Sequence, residues 1–150
     1  MKAKEVLQAK GYNEIWTIAP NATVLDALKV MQEKNVGALL VIEGGRLTGI
    51  ITERDYARKV ALQGKSTENT FVSDIMSRDV YGIQSDLSVE DCMMLMTEKK
   101  IRHLPVFENE NLIGIISIGN VVKSIIINQE RLIEDLSGYI TGKYIHLPKY

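Results

Sequence analysis

The chain has 150 residues, 45% of them apolar and 25% charged, which suits one globular domain or two small halves sharing a core. A net charge of −1 argues against non-specific nucleic-acid binding, which needs a basic face, and a single cysteine, Cys92, excludes a disulfide within the chain and suits a reducing cytoplasm. No apolar run approaches the roughly 18 residues of a membrane helix, and Met1–Lys10 is too charged for a secretory signal.

Lys4–Lys10 reads as a short amphipathic helix ended by Gly11, and Ile15–Ile18 as a strand closed by Pro20. Thr23 and Asp26 form a capping-box pattern for a helix whose apolar face carries Ala27, Leu28, Met31 and Val36. Ala38–Ile42 is a continuous apolar run of the kind a doubly buried strand shows. Glu43–Arg46, with Gly44 and Gly45, is a hairpin turn into a strand at Leu47–Thr52, and a helix follows at Glu53–Leu62. A polar linker, Gln63–Thr70, leads to a helical turn at Val72–Met76.

The order then starts again. Val80–Ile83 is a strand, Ser88–Lys100 a helix with Ser88 and Asp91 as its capping pair, and Leu104–Phe107 a strand. Glu108–Asn111 is a turn, Leu112–Ser117 a strand and Gly119–Ile127 a helix. Gln129–Ile140 is a further helical extension, with Gly138 and Gly142 near its end.

A shift of 65 residues lays Thr23–Val60 on Ser88–Ile125 without a gap, and twelve of the 38 positions are identical. The chain is therefore read as α/β, built from two β-α-β-β-α repeats packed about a pseudo-twofold axis. The boundaries are an N-terminal helix at 1–13, a first repeat at 14–62, a linker and short helix at 63–78, a second repeat at 79–127 and a helical tail at 128–150.

Gly49-Ile-Ile-Thr-Glu-Arg-Asp55, Arg102-His-Leu-Pro-Val106 and Gly114-Ile-Ile-Ser-Ile-Gly-Asn120 are the most telling segments. With the repeat around them, the pattern resembles the CBS domain pair, or Bateman module, from about Glu14 to Ile127. The flanking helix and tail look like those of small stand-alone members. The resemblance implies a disc-shaped homodimer, a regulatory role and binding of an adenine ligand (AMP, ADP, ATP, NAD or S-adenosylmethionine).

Thr52-Glu-Arg-Asp55 carries chemistry of its own. A strand ends at Thr52 where a helix begins, and the free amides of that turn favour a phosphate. The Thr52 hydroxyl can donate to it, Arg54 and Arg58 can add charge, and Asp55 can accept from ribose hydroxyls. The same Thr-x-x-Asp spacing is also a plain capping box, and the two roles can coexist.

The second copy has Ser117 for Thr52, Gly119 for Arg54 and Asn120 for Asp55, where the family usually has Asp. An amide offers a weaker acceptor than a carboxylate, so the two sites are expected to be inequivalent. In such pairs the equivalents of Arg102 and His103 often point into the central clefts, and Leu104 and Pro105 are counted with them as candidate nucleotide-binding residues. Gly37 and Ala38 stand opposite them in the first copy and leave room for a flat base, and Ile18 and Ile83 are candidate apolar walls. Each of these residues also has a purely structural reading as core or strand edge.

Other features read as packing. Met31 and Met96 align as core, Met94 is a candidate subunit contact, and Cys92 aligns with Ala27 as a small buried residue. His103 and His146 form no ligand cluster, so no metal is expected. Trp16 and Tyr81 align near the expected cleft mouth. Tyr139, Tyr144, Tyr150 and the apolar Leu132, Ile133, Leu136 and Ile140 of the tail are candidates for a dimer contact.

No nucleophile with its base, metal cluster or paired carboxylates stands out, so no catalysis is expected. The expected function is a cytoplasmic regulatory module that binds an adenine nucleotide and signals to an unidentified protein partner, with no catalytic cofactor, nucleic acid or membrane. The alternative is a structural dimerisation module with vestigial clefts.

Overall fold

The computed structural model describes residues 1–11 and 15–137. Two three-stranded sheets form the centre. One holds β1 (Thr17–Ile18), β2 (Ala38–Glu43) and β3 (Arg46–Thr52), and the other β4 (Ile83–Gln84), β5 (His103–Glu108) and β6 (Asn111–Ser117). In each, the first strand runs parallel to the second and the third antiparallel to it. The helices are α1 (Ala3–Ala9), α2 (Val24–Lys34), α3 (Glu53–Tyr56), α4 (Val72–Ile75), α5 (Val89–Lys99) and α6 (Ile118–Ser137).

The 65-residue repeat holds down to register. Ala38 faces Thr52 as His103 faces Ser117, and the irregularity between Val41 and Ile42 recurs between Val106 and Phe107. Helices α2 and α5 both end in a left-handed residue, Asn35 at φ 53° and Lys100 at φ 54°. Thr23 and Ser88 each accept from the amide three residues on, at 3.1 Å.

The apolar strands are explained by burial on both faces. Leu39, Val41 and Ile51 alternate towards α2, while Ala38, Leu40 and Ile50 face the other repeat. There they meet Val80, Leu112 and Ile115, so neither sheet has a complete core without its counterpart.

The two short helices are exchanged. Helix α1 precedes the first repeat but packs on the second: Ala3 N–H donates to Leu87, Lys4 N–H to Ser85, and Met1 C=O accepts from Val89. Helix α4 precedes the second repeat but packs on the first: Val72 N–H donates to Ala22, Ser73 N–H to Pro20, and Thr70 C=O accepts from Val24. Leu7 lies against Gly114 as Met76 lies against Gly49. The repeat therefore includes these helices, at an offset of 69 residues.

Four expectations need correction. β1 starts at Thr17 rather than Ile15, and β4 is Ile83–Gln84 rather than Val80–Ile83; Asp79–Tyr81 instead turn into the space between the repeats. The helix expected at 53–62 is α-helical only to Tyr56 and then widens into a π-helical stretch, Ala57–Ala61. Leu62 N–H reaches Ala57 C=O, and the wide turn keeps Val60 fully buried. The last two helices are one, because no Gly or Pro interrupts residues 120–137.

Met31, Met96, Ala27 and Cys92 are buried, and burial pushes the Cys92 thiol up, with Asp91 adding to the shift. Met94 is exposed. The tail residues Gly138, Tyr139, Ile140, Gly142, Tyr144, His146 and Tyr150 lie outside the described residues.

Candidate functional site

A cleft of about 490 Å³ opens between the two repeats. From the first it takes Gly37, Ile50, Thr52, Glu53, Arg54, Asp55 and Arg58, and from the second Val80, Tyr81, Lys100, Ile101, Arg102 and His103. Ser77 and Asp79 line it from the segment between them. The volume is within the usual range for a small-molecule site.

The turn from β3 into α3 positions one wall. Thr52 N–H donates to Asp55 Oδ2 at 3.0 Å, the Thr52 hydroxyl donates to the same oxygen at 3.1 Å, and Asp55 N–H donates to Thr52 Oγ1 at 3.1 Å. The capping box is therefore real. Lys59 Nζ approaches Asp55 Oδ1 at 3.0 Å and also donates to Ile75 C=O at 2.8 Å. This lysine ties the cap to the exchanged helix α4. A carboxylate has about four acceptor positions; Oδ1 still has room for one further donor.

The opposite wall comes from the entry to β5. The Arg54 guanidinium donates across the cleft to Lys100 C=O at 3.4 Å. His103 is partly buried, and desolvation, with the charges of Arg102 and Lys10, lowers its pKa to about 4. It is a neutral imidazole at pH 7. Glu53 and His103 both approach the bare Cα of Gly37. The Tyr81 hydroxyl donates to Asp79 at 3.0 Å, and Lys99 covers the Tyr81 ring as Lys34 covers the ring of Trp16.

The cleft thus gathers Gly37, Thr52, Arg54, Asp55, Arg58, Arg102 and His103 from among the residues singled out in the sequence. Ala38, Leu104 and Pro105 are buried behind it, and Ile18 and Ile83 pack into the cores of the two repeats. Ser117, Gly119 and Asn120 lie at the corresponding turn of the second copy. There Ser117 N–H donates to Asn120 Oδ1 at 2.8 Å and Asn120 N–H to Ser117 Oγ at 3.1 Å. Ser77, Asp79, Val80 and Lys100 line the cleft but belong to no motif in the sequence, and Ile50 and Glu53 lie in the Gly49–Asp55 segment without being candidates there. The alignment of Trp16 with Tyr81 was the signal that pointed towards the segment 77–80.

Among the described residues no group of His, Cys, Asp and Glu is placed to hold a metal, and no helix is long and apolar enough to cross a membrane.

Two repeats of one α/β unit, with a cleft between Thr52–Asp55 of one and Arg102–His103 of the other, define a paired-repeat module. The CBS domain profile matches residues 10–62 and 72–127. The chain belongs to the CBS domain family, and CBS pair proteins are regulatory.

Among relatives, the mitochondrial CBS domain-containing protein CBSX3 of Arabidopsis thaliana is 39% identical over 149 residues, covering 93% of this chain and 72% of that protein. A CBS-domain protein assigned to signal transduction from Burkholderia ambifaria MC40-6 superposes with a TM-score of 0.83 at 46% identity, over 86% of this chain and 96% of that one. The CBS domain pair of protein MJ0100 shares the fold, with a TM-score of 0.72 at 24% identity over 85% and 98% of the two chains. Its structure is a complex with 5′-methylthioadenosine and S-adenosyl-L-methionine.

Proposed function

We propose that this protein is a non-catalytic regulatory module that binds an adenine nucleotide in the cleft between its repeats and signals the occupancy to a protein partner. The observation that carries this is the cleft itself. It opposes a Thr52–Asp55 turn with one acceptor position to spare to a cluster of cations from the other repeat. The adenine ligands of the MJ0100 pair support the class of ligand. Because both walls belong to different repeats, a ligand touching both has a differential affinity for the closed arrangement, and that difference is the signal.

A homodimer in a reducing cytoplasm fits this reading. Met93 and Met94 on α5 and Ile118, Val122 and Ile126 on α6 are exposed, and a soluble surface rarely leaves such a stripe uncovered.

Calorimetric titration with AMP, ATP, NAD and S-adenosylmethionine tests the proposal, on the wild type and on Asp55→Asn. Asn120 shows that an amide can hold the cap in this turn, so Asp55→Asn keeps the fold while removing the carboxylate. Saturable binding weakened by the substitution is expected. Absence of binding by all four favours the structural dimerisation module.

A further inference from the structure

The cleft's charge is unbalanced. Arg54 and Arg58 reach it from α3 and the π-helical stretch, and Lys100 and Arg102 from the entry to β5. Among the described residues none of the four belongs to an ion pair. The carboxylates neutralise them only in part: Asp55 is matched by Lys59, and Glu53 and Asp79, which also line the cleft, offset two of the four cations and leave a net positive charge. Folding brings these like charges together, and their mutual repulsion is relieved by a polyanion more than by water.

The cations are also divided between the two walls. Arg54 already touches the backbone of Lys100 across the cleft. A phosphate held by Arg54 and Arg58 therefore stands next to Lys100 and Arg102, and a longer phosphate chain reaches both pairs.

We propose that the cleft selects its adenine ligand by the phosphate chain, taking ATP and ADP above AMP and rejecting S-adenosylmethionine. This rests on the adenine-nucleotide reading above. S-adenosylmethionine, with a sulfonium, an ammonium and only one carboxylate, would bring a net positive charge to the place where four cations stand, so the ligand of the MJ0100 pair is not the ligand here. Each added phosphate gains charge-assisted hydrogen bonds, which are the strong ones, and arginine suits them by its fork.

The test is a titration series with adenosine, AMP, ADP, ATP and S-adenosylmethionine on the intact chain, at low and at physiological salt. Affinity is expected to rise at least about tenfold from AMP to ATP, one charge-assisted bond's worth. The ATP advantage should shrink as salt rises, since exposed charges are screened, and S-adenosylmethionine should give no heat of binding. The double variant Arg58→Gln, Lys100→Asn should bring the ATP-to-AMP ratio towards one; Asn stands at the equivalent left-handed position 35, so the backbone is preserved.

AMP binding as tightly as ATP, or S-adenosylmethionine binding best, overturns the selection rule and leaves the adenine reading standing. Failure of all five ligands overturns the adenine reading itself. The wild-type series decides the matter even if the variant does not fold.

Discussion

The Lys10 ammonium donates to the carbonyl of Ile115 at 2.8 Å. In the first repeat the equivalent carbonyl, that of Ile50, accepts instead from the backbone N–H of Ser77 at 2.9 Å. The difference follows from helix length. Helix α4 stops at Ile75 and frees Ser77 to bridge β3, whereas α1 runs on to Ala9, and a side chain from beyond its end makes the contact. Burial lowers the Lys10 pKa, as expected for an ammonium drawn into the interior.

Lys10→Met is expected to destabilise the fold by about 1–3 kcal/mol, the usual cost of leaving a desolvated acceptor without its donor. It should also raise the pKa of His103, since the Lys10 charge is one of the causes that depress it. Chemical denaturation and the imidazole NMR titration check the two effects. An unmoved His103 titration would contradict the electrostatic link between them.

The His103 pKa gives a pH dependence of defined sign. Its folded value of about 4 lies below the ordinary 6.5, so the unfolded chain takes up the proton first. Stability should therefore fall as pH drops from about 6.5 to 4, by at most ~3 kcal/mol at 1.36 kcal/mol per pKa unit. His103→Ala, which installs the residue found at position 38 in the first repeat, should flatten this part of the profile. The difference between the two urea-denaturation profiles is the readout, because carboxylates contribute to both.

At Asp55 the two substitutions should separate. Asp55→Ala keeps the backbone N–H that Thr52 Oγ1 caps but removes the carboxylate that accepts from the Thr52 amide and hydroxyl, and it leaves Lys59 without its partner; losing that half of the capping box should cost about 0.5–2 kcal/mol. Asp55→Asn keeps an acceptor for the Thr52 amide, as Asn120 does for Ser117, and should cost less. Equal losses of stability would show that the Lys59 ion pair matters more than the cap.

Gly49 and Gly114 are equivalent in sequence but not in what surrounds them. A Cβ on Gly49 would stand 2.9 Å from the Ser77 carbonyl oxygen and 2.8 Å from Met76 Sδ. On Gly114 it would meet the end of the Leu7 side chain at 2.7 Å. Backbone yields less than a side chain, so Gly49→Ala should cost more than Gly114→Ala, with overpacking of about 1–3 kcal/mol at the first site. Thermal unfolding of the two variants compares them directly.

Much of the fold could be read along the chain. The repeat, the capping pairs Thr23–Asp26 and Ser88–Asp91, the Gly44–Gly45 turn and the doubly buried strands are local patterns, and local patterns report local structure. The turn at Thr52–Asp55 belongs with them. The exchange of α1 and α4 does not, because an apolar face such as Val6–Leu7 says that it is covered and not by which repeat. The π-helical stretch is similarly hidden, since it answers to the burial of Val60 and to the reach of Lys59 towards Ile75.

The sequence by itself determined that two copies of one unit exist and that they share an apolar seam, and it marked Thr52, Arg54, Asp55, Arg102 and His103 as candidates that the structure brings to one cleft. Only the tertiary structure decided that Lys100 and Asp79 join them, and that four cations face one cavity without ion-pair partners among the described residues. The physical reason is distance. Arg54 and Lys100 lie 46 residues apart in the chain and meet across the cleft only because two sheets must cover each other's apolar faces.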